Sequence, residues 1–148
     1  MVQRKLLGAS LFALLSLFIS SQLFAQEAIE QRQKLMKGQS AAAKAIKGAV
    51  EAKDYAAIET KAKDIMGSSD KIVDLFPKGS TSDKSRALPA IWEKWDEFGK
   101  NPAKLKKAAG ELADAAKAKD DAGIPAKVKA LGDACTACHT PFRAEKKG

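Results

Sequence analysis

Cys135 and Cys138 are the chain's only cysteines and His139 is its only histidine. The run Cys135-Thr136-Ala137-Cys138-His139 therefore holds every thiol and every imidazole the protein has. Such groups form disulfides, bind soft and borderline metals, or couple covalently to a cofactor. On a helix, positions i and i+3 project from one side about a turn apart, and i+4 joins them on that face. Two thiols so placed can each form a thioether with one vinyl group of a haem, while the imidazole reaches the iron. C-x-x-C-H is the pattern of c-type haem attachment, with His139 as the proximal iron ligand.

Three other chemistries use the same residue types, and each lacks something here. A C-x-x-C redox pair sits beside a βαβ pattern, and the sequence shows no strand periodicity. A structural zinc site takes four N or S ligands, and Cys and His together number three. A plain disulfide leaves His139 without a role.

The N-terminus sets the compartment. Arg4 and Lys5 precede an apolar run from Leu6 to Ile19, and small and polar residues follow up to Ala25. That is the layout of a secretory signal peptide, with residues 1–25 removed and 26–148 forming one mature domain. The apolar run is short for a membrane span, which takes ~20 residues, so the mature chain is expected to have none. Export to the periplasm suits the covalent use of two thiols in an oxidising compartment. Loss of the leader lowers the formal charge of +8 by two. The remaining lysines alternate with Asp and Glu, so no block of like charge suggests nucleic-acid binding. A basic balance permits docking on an acidic redox protein or on an anionic surface and specifies neither.

Four amphipathic segments must position the motif. The first spans about Glu27 to Val50, with Ile29, Met36, Ala43 and Val50 at heptad spacing and Arg32, Gln39 and Ile46 between them. Arg32 is a charge on an apolar seam. The second spans about Asp54 to Leu75, with Asp54 as N-cap and Ile58, Ala62, Ile65, Ser69, Ile72 and Phe76 facing inward. Pro77 stops it, and "PKGSTSDKSRAL" is a loop by composition. The third begins at Pro89, carries Ile91, Trp95, Phe98, Pro102, Leu105, Ala109, Leu112 and Ala116, and is interrupted at "FGKNPAK". The fourth carries Ile124, Val128, Leu131, Cys135, Cys138 and Phe142. Four such segments joined by turns make an all-α, antiparallel up-down-up-down four-helix bundle with covalently bound haem.

The position of C-x-x-C-H near the end of the last of four helices resembles the class II c-type cytochromes, the cytochrome c′ family. "AIEQRQKLMK", "LFPKGS", "AIWEKWDEF" and "CTACHTPFR" carry the resemblance, which covers essentially residues 26–148. It implies one haem c per chain, with thioethers at Cys135 and Cys138. It implies Arg32 near a haem propionate, and Arg143 in the haem environment beyond His139. It also implies that Met36, four residues after Arg32, faces the distal side of the iron. In the low-spin branch of the family that residue is a Met ligating the iron, and Met/His ligation suits an electron carrier. The chain thus reads as a periplasmic monohaem one-electron carrier exchanging electrons with redox proteins, and not as an enzyme, since no acid–base or nucleophilic constellation is present. The alternative is a five-coordinate cytochrome c′ that binds nitric oxide or carbon monoxide. The family's dimers, formed through the first two helices, imply a homodimer. Met66, beside Ile65, is expected to be core, as are Trp92 and Trp95.

Overall fold

A computed structural model describes the backbone of residues 3–145 and the side chains of residues 23–145. Most of the expected signal peptide, including its basic residues and its apolar run, lies outside the described side chains. The elements are α1 (Gln3–Glu51), α2 (Tyr55–Ser69), a 3₁₀ turn (Val73–Leu75), α3 (Ala90–Glu93), α4 (Trp95–Gly99), α5 (Asn101–Lys117) and α6 (Ile124–Phe142). Helices α1, α2, α5 and α6 are the four members of the bundle. α2 packs against α1 and α5, and α5 against α6. Among the described residues no strand is present beyond an isolated antiparallel bridge between Ala87 and Arg143. No helix among them is long and apolar enough to cross a membrane.

Two tight reversals turn the chain at one end of the bundle. Lys53 (φ 54°) and Lys119 (φ 53°) occupy the left-handed region where glycine is usual after a helix. Asp54 N–H then donates to Ala49 O at 2.8 Å, and Asp120 N–H to Ala115 O at 2.9 Å. Asp54 caps α2 as expected, its Oδ1 accepting from Ala57 N–H at 3.0 Å. Lys53 Nζ and Tyr55 Oη both donate to Asp121, at 2.8 and 2.6 Å, and so join the two reversals.

The second and third segments differ from the sequence expectation. α2 stops at Ser69, well short of Leu75. The Ser68 and Ser69 hydroxyls both donate back to Ile65 O, at 2.9 and 2.7 Å, and so compete with the backbone for that carbonyl. The 3₁₀ turn continues the path, so Ile72 and Phe76 still point inward and are buried. The third segment breaks twice. The break at "FGKNPAK" has a clear cause. Pro102 has no N–H to give to Phe98 O, and Asn101 Nδ2 donates there instead at 3.2 Å, and to Glu97 O at 3.0 Å. A further break falls at Lys94 (φ −120°, ψ 47°). It turns Trp95 out of the inward stripe, leaving it 39% exposed.

The seam of α1 also drifts. The buried residues are Ile29, Arg32, Ala42, Ile46 and Ala49, with Ala43 and Val50 half-buried. A straight helix of 3.6 residues per turn does not hold a heptad seam on one line. Elsewhere the stripes meet as read. Ala62, Ile65, Leu105, Ala109, Leu112, Ala116 and Leu131 form the core between α2, α5 and α6. Phe98 stands between Phe76 and Phe142, with ring centroids 4.9 and 5.4 Å away in edge-to-face geometry.

Leu112→Ala is expected to cost about 2–5 kcal/mol, because Leu112 is fully buried and its neighbours cannot collapse onto the space. Lys129→Ala, which removes an exposed pair with Asp133, should change stability by less than about 1 kcal/mol. Urea unfolding of the two haem-loaded variants checks this, and equal losses would contradict the packing described.

Candidate haem site

The motif segment lies in the last turns of α6. That helix ends when Arg143 turns extended (φ −131°, ψ 127°) while its N–H still donates to His139 O at 3.0 Å. The extended segment pairs with the loop before α3. Leu88 N–H donates to Phe142 O at 3.1 Å and Ala144 N–H to Arg86 O at 2.8 Å.

A cavity of about 410 Å³ lies where α1, this loop and α6 converge. α1 contributes Arg32, Gln33, Met36, Lys37 and Ser40; α6 contributes Cys138, His139 and Phe142. Phe76, Ile91 and Phe98 supply apolar wall, and Lys84 to Ala87 and Arg143 complete the lining. Met36, Arg32, Cys138, His139 and Arg143, all singled out from the sequence, thus meet at one cavity. Cys135 does not line it but sits one turn earlier on α6, half-buried against the core. Met66 packs elsewhere, its Sδ 3.5 Å from where a Cβ on Gly110 would lie, between α2 and α5. Trp92 is half-buried, its Nε1–H donating to Phe76 O at 3.1 Å and Pro77 O at 3.2 Å.

Burial sets the protonation of the motif. It raises the Cys135 thiol, and it raises the Cys138 thiol to about 11, helped by neighbouring Cys135 and opposed by Arg143. Burial thus keeps both thiols protonated at neutral pH in the folded chain. Burial lowers the pKa of His139, with Arg143 and Arg86 acting in the same direction. A neutral imidazole keeps a lone pair for a metal. Among the described residues no three or more His, Cys, Asp or Glu groups are arranged to hold a bare ion. Half-buried thiols, a neutral imidazole and a largely apolar cavity do fit an iron macrocycle that brings its own four nitrogens.

Arg32 is 3% exposed and has no carboxylate partner among the described residues. Its Nη1 donates to Ser80 Oγ at 2.7 Å and Leu75 O at 3.4 Å. Its Nη2 donates to Ser80 O at 2.6 Å and Ser85 Oγ at 2.7 Å. The guanidinium lies over the Phe76 ring, 4.6 Å from the centroid. Desolvation lowers its pKa, yet arginine stays charged. Of its five N–H donors, the four on Nη thus go to the segment from Leu75 to Ser85, and Nε–H is left for a further acceptor. Ser80, fully buried, and Ser85 were not identified from the sequence, where "GSTSDKS" carried only a loop signal.

A covalent-haem four-helix bundle is the class that this fold and site define. The cytochrome c′ family model, described as "Cytochrome C'", matches residues 27–143. The chain is 35% identical to cytochrome c-556 of Agrobacterium fabrum, across 84% of this chain and 86% of that protein. It is 32% identical to cytochrome c′ of Rhodospirillum rubrum, across 97% and 100%. The solved structure of cytochrome c′ from Rhodopseudomonas palustris superposes with a TM-score of 0.74 at 32% identity, covering 81% of this chain and 98% of that one. The chain belongs to the cytochrome c′ family and is a monohaem cytochrome with covalently attached haem c.

Ser80→Ala removes one acceptor from a buried charge and is expected to cost about 1.5–3 kcal/mol. Thr136→Ala, whose exposed Oγ donates to Gly132 O at 3.0 Å, should change little. Denaturant midpoints of the holoprotein variants check this, and an unaffected Ser80→Ala protein would show that the Oγ contact contributes nothing.

Proposed function

We propose that the protein is a low-spin, one-electron carrier whose haem iron is held by His139 and Met36. The observation that carries this reading is that Met36, on α1, and His139, on α6, line the same cavity. Haem supplies the redox-active iron, and the residues of this chain fasten and tune it. Cys135 and Cys138 form the two thioethers. His139 donates its lone pair as proximal ligand. Met36 brings a thioether sulfur, a soft ligand that raises the reduction potential. Arg32 reaches a propionate through its remaining Nε–H, while Arg143 acts from beside His139.

Residues 1–25 act as an export signal, the mature protein works in the periplasm, and its partners are a redox donor and acceptor. No substrate is turned over. Met36 is only half-buried, and its unbranched thioether side chain is flexible enough to turn towards an iron held by His139.

The test is the optical and electron paramagnetic resonance spectrum of purified ferric protein beside Met36→Ala. Wild type is expected to be six-coordinate and low-spin, with carbon monoxide binding slowly to the ferrous form. Met36→Ala is expected to become high-spin and to bind carbon monoxide at least tenfold faster. A high-spin wild type that takes up carbon monoxide as readily as the variant would replace the carrier by the gas-binding alternative.

A further inference from the structure

The cations of this chain are not distributed as their scatter along the sequence suggests. Seven lysines elsewhere on the bundle are paired with a carboxylate, while others, Lys44, Lys47, Lys71, Lys104 and Lys119 among them, are exposed and make no ion pair among the described residues. Lys53 pairs with Asp121, Lys61 with Asp64, Lys63 with Glu59 and Lys106 with Asp70. Lys107 and Lys127 share Glu111, and Lys129 pairs with Asp133. At the haem cavity four cations converge on one opening. Lys37 from α1, Lys84 and Arg86 from the loop, and Arg143 beyond α6 all line it and are all exposed. None of the four makes an ion pair among the described residues, and no Asp or Glu lines the cavity. Asp83 and Glu145 are near them in sequence but are not part of the lining.

The backbone fixes this arrangement. The Ala87–Arg143 bridge and the Ala144 N–H to Arg86 O bond hold Arg86 and Arg143 on adjoining segments, beside His139. The Arg32 bonds to Ser80 and Ser85 hold the loop that carries Lys84 and Arg86 against α1, beside Lys37. Gln33 Nε2 adds a bond to Lys84 O at 2.8 Å. Three separate parts of the chain thus present unpaired positive charge around one opening. Two haem propionates would offset part of that charge and leave the rim basic.

We propose that this rim is the docking surface for an acidic redox protein, and that the paired lysines over the rest of the bundle take little part. The inference rests on the carrier reading above and gives its electron-exchange site a location and a partner charge. Concentrating unpaired cations at the opening steers an anionic partner to the edge of the cofactor and not to the bundle at large. An encounter of this kind needs only a small interface, under about 1,200 Å² in total.

The experiment uses stopped-flow reduction of the ferric holoprotein by two donors of opposite charge: a reduced, acidic plant-type ferredoxin and hexaammineruthenium(II). A change in haem potential moves both rates in the same direction; a change in docking charge does not. The wild-type rate with ferredoxin should fall as salt rises, and the rate with the ruthenium complex should not. Lys84→Glu/Arg86→Glu should slow ferredoxin about tenfold or more at low salt while leaving the ruthenium rate unchanged or faster.

Lys47→Glu/Lys119→Glu makes the same change in net charge towards the other end of the bundle, and it should alter the ferredoxin rate less than twofold. Equal slowing by the two double variants would overturn the proposal in favour of a net-charge effect. Co-sedimentation of wild type with phosphatidylglycerol vesicles, abolished by Lys84→Glu/Arg86→Glu, would overturn it in favour of a lipid surface. Either failure leaves the Met36 spectrum untouched, so the docking surface and the carrier reading fall separately.

Discussion

The site depends on a buried charge held without a counter-charge. Arg32 sits on the inward seam of α1, where an unsolvated guanidinium is costly. Its cost is offset by Ser80 Oγ, Ser80 O, Ser85 Oγ and Leu75 O, and by the face of Phe76. These contacts draw the segment from Leu75 to Ser85 onto α1. The same segment continues to Arg86, Ala87 and Leu88, whose backbone is bonded to the end of α6. One loop therefore ties together the two helices that carry Met36 and the Cys135–His139 motif. At the other end of the bundle the Lys53 and Tyr55 bonds to Asp121 make a second tie between the reversals that follow α1 and precede α6.

That arrangement explains why the loop can be rich in Ser, Gly and Lys and still be ordered. Ser80 is as buried as any core residue, yet it is there for its oxygen atoms. The hydrophobic core draws on α1, α2, α5 and α6, while Phe76, Phe98 and Phe142 extend it to the wall of the cavity. Packing and site therefore meet at the same aromatic residues. A substitution at Phe98 would disturb the cavity as well as the stability of the bundle.

Much of this was legible in the sequence because the signals were redundant. Cys135, Cys138 and His139 exhaust the chain's Cys and His, and the stripes of all four segments agree with a bundle. Arg32 stood out as a charge on an apolar seam, and Met36 follows it by one turn. What could not be read has a physical reason in each case. The break at Lys94 has no Gly or Pro to announce it, so Trp95 seemed to continue a stripe that the backbone had already left. The early end of α2 depends on two serine hydroxyls returning to one carbonyl, a choice that composition does not encode. The partners of Arg32 lie more than forty residues away in a segment whose only local signal was turn propensity. The convergence of Lys37, Lys84, Arg86 and Arg143 around one opening emerges only from the fold, since they lie on three separate parts of the chain.

The carrier reading requires Met36 and His139 to meet at one iron. The most direct measurement is X-ray absorption at the iron K-edge of the purified ferric protein. Six ligands are expected, five of them nitrogen and one sulfur at bonding distance, the sulfur coming from the only methionine that lines the cavity among the described residues. A first shell of five nitrogens with no sulfur would contradict the carrier reading and leave the iron open on the side of α1.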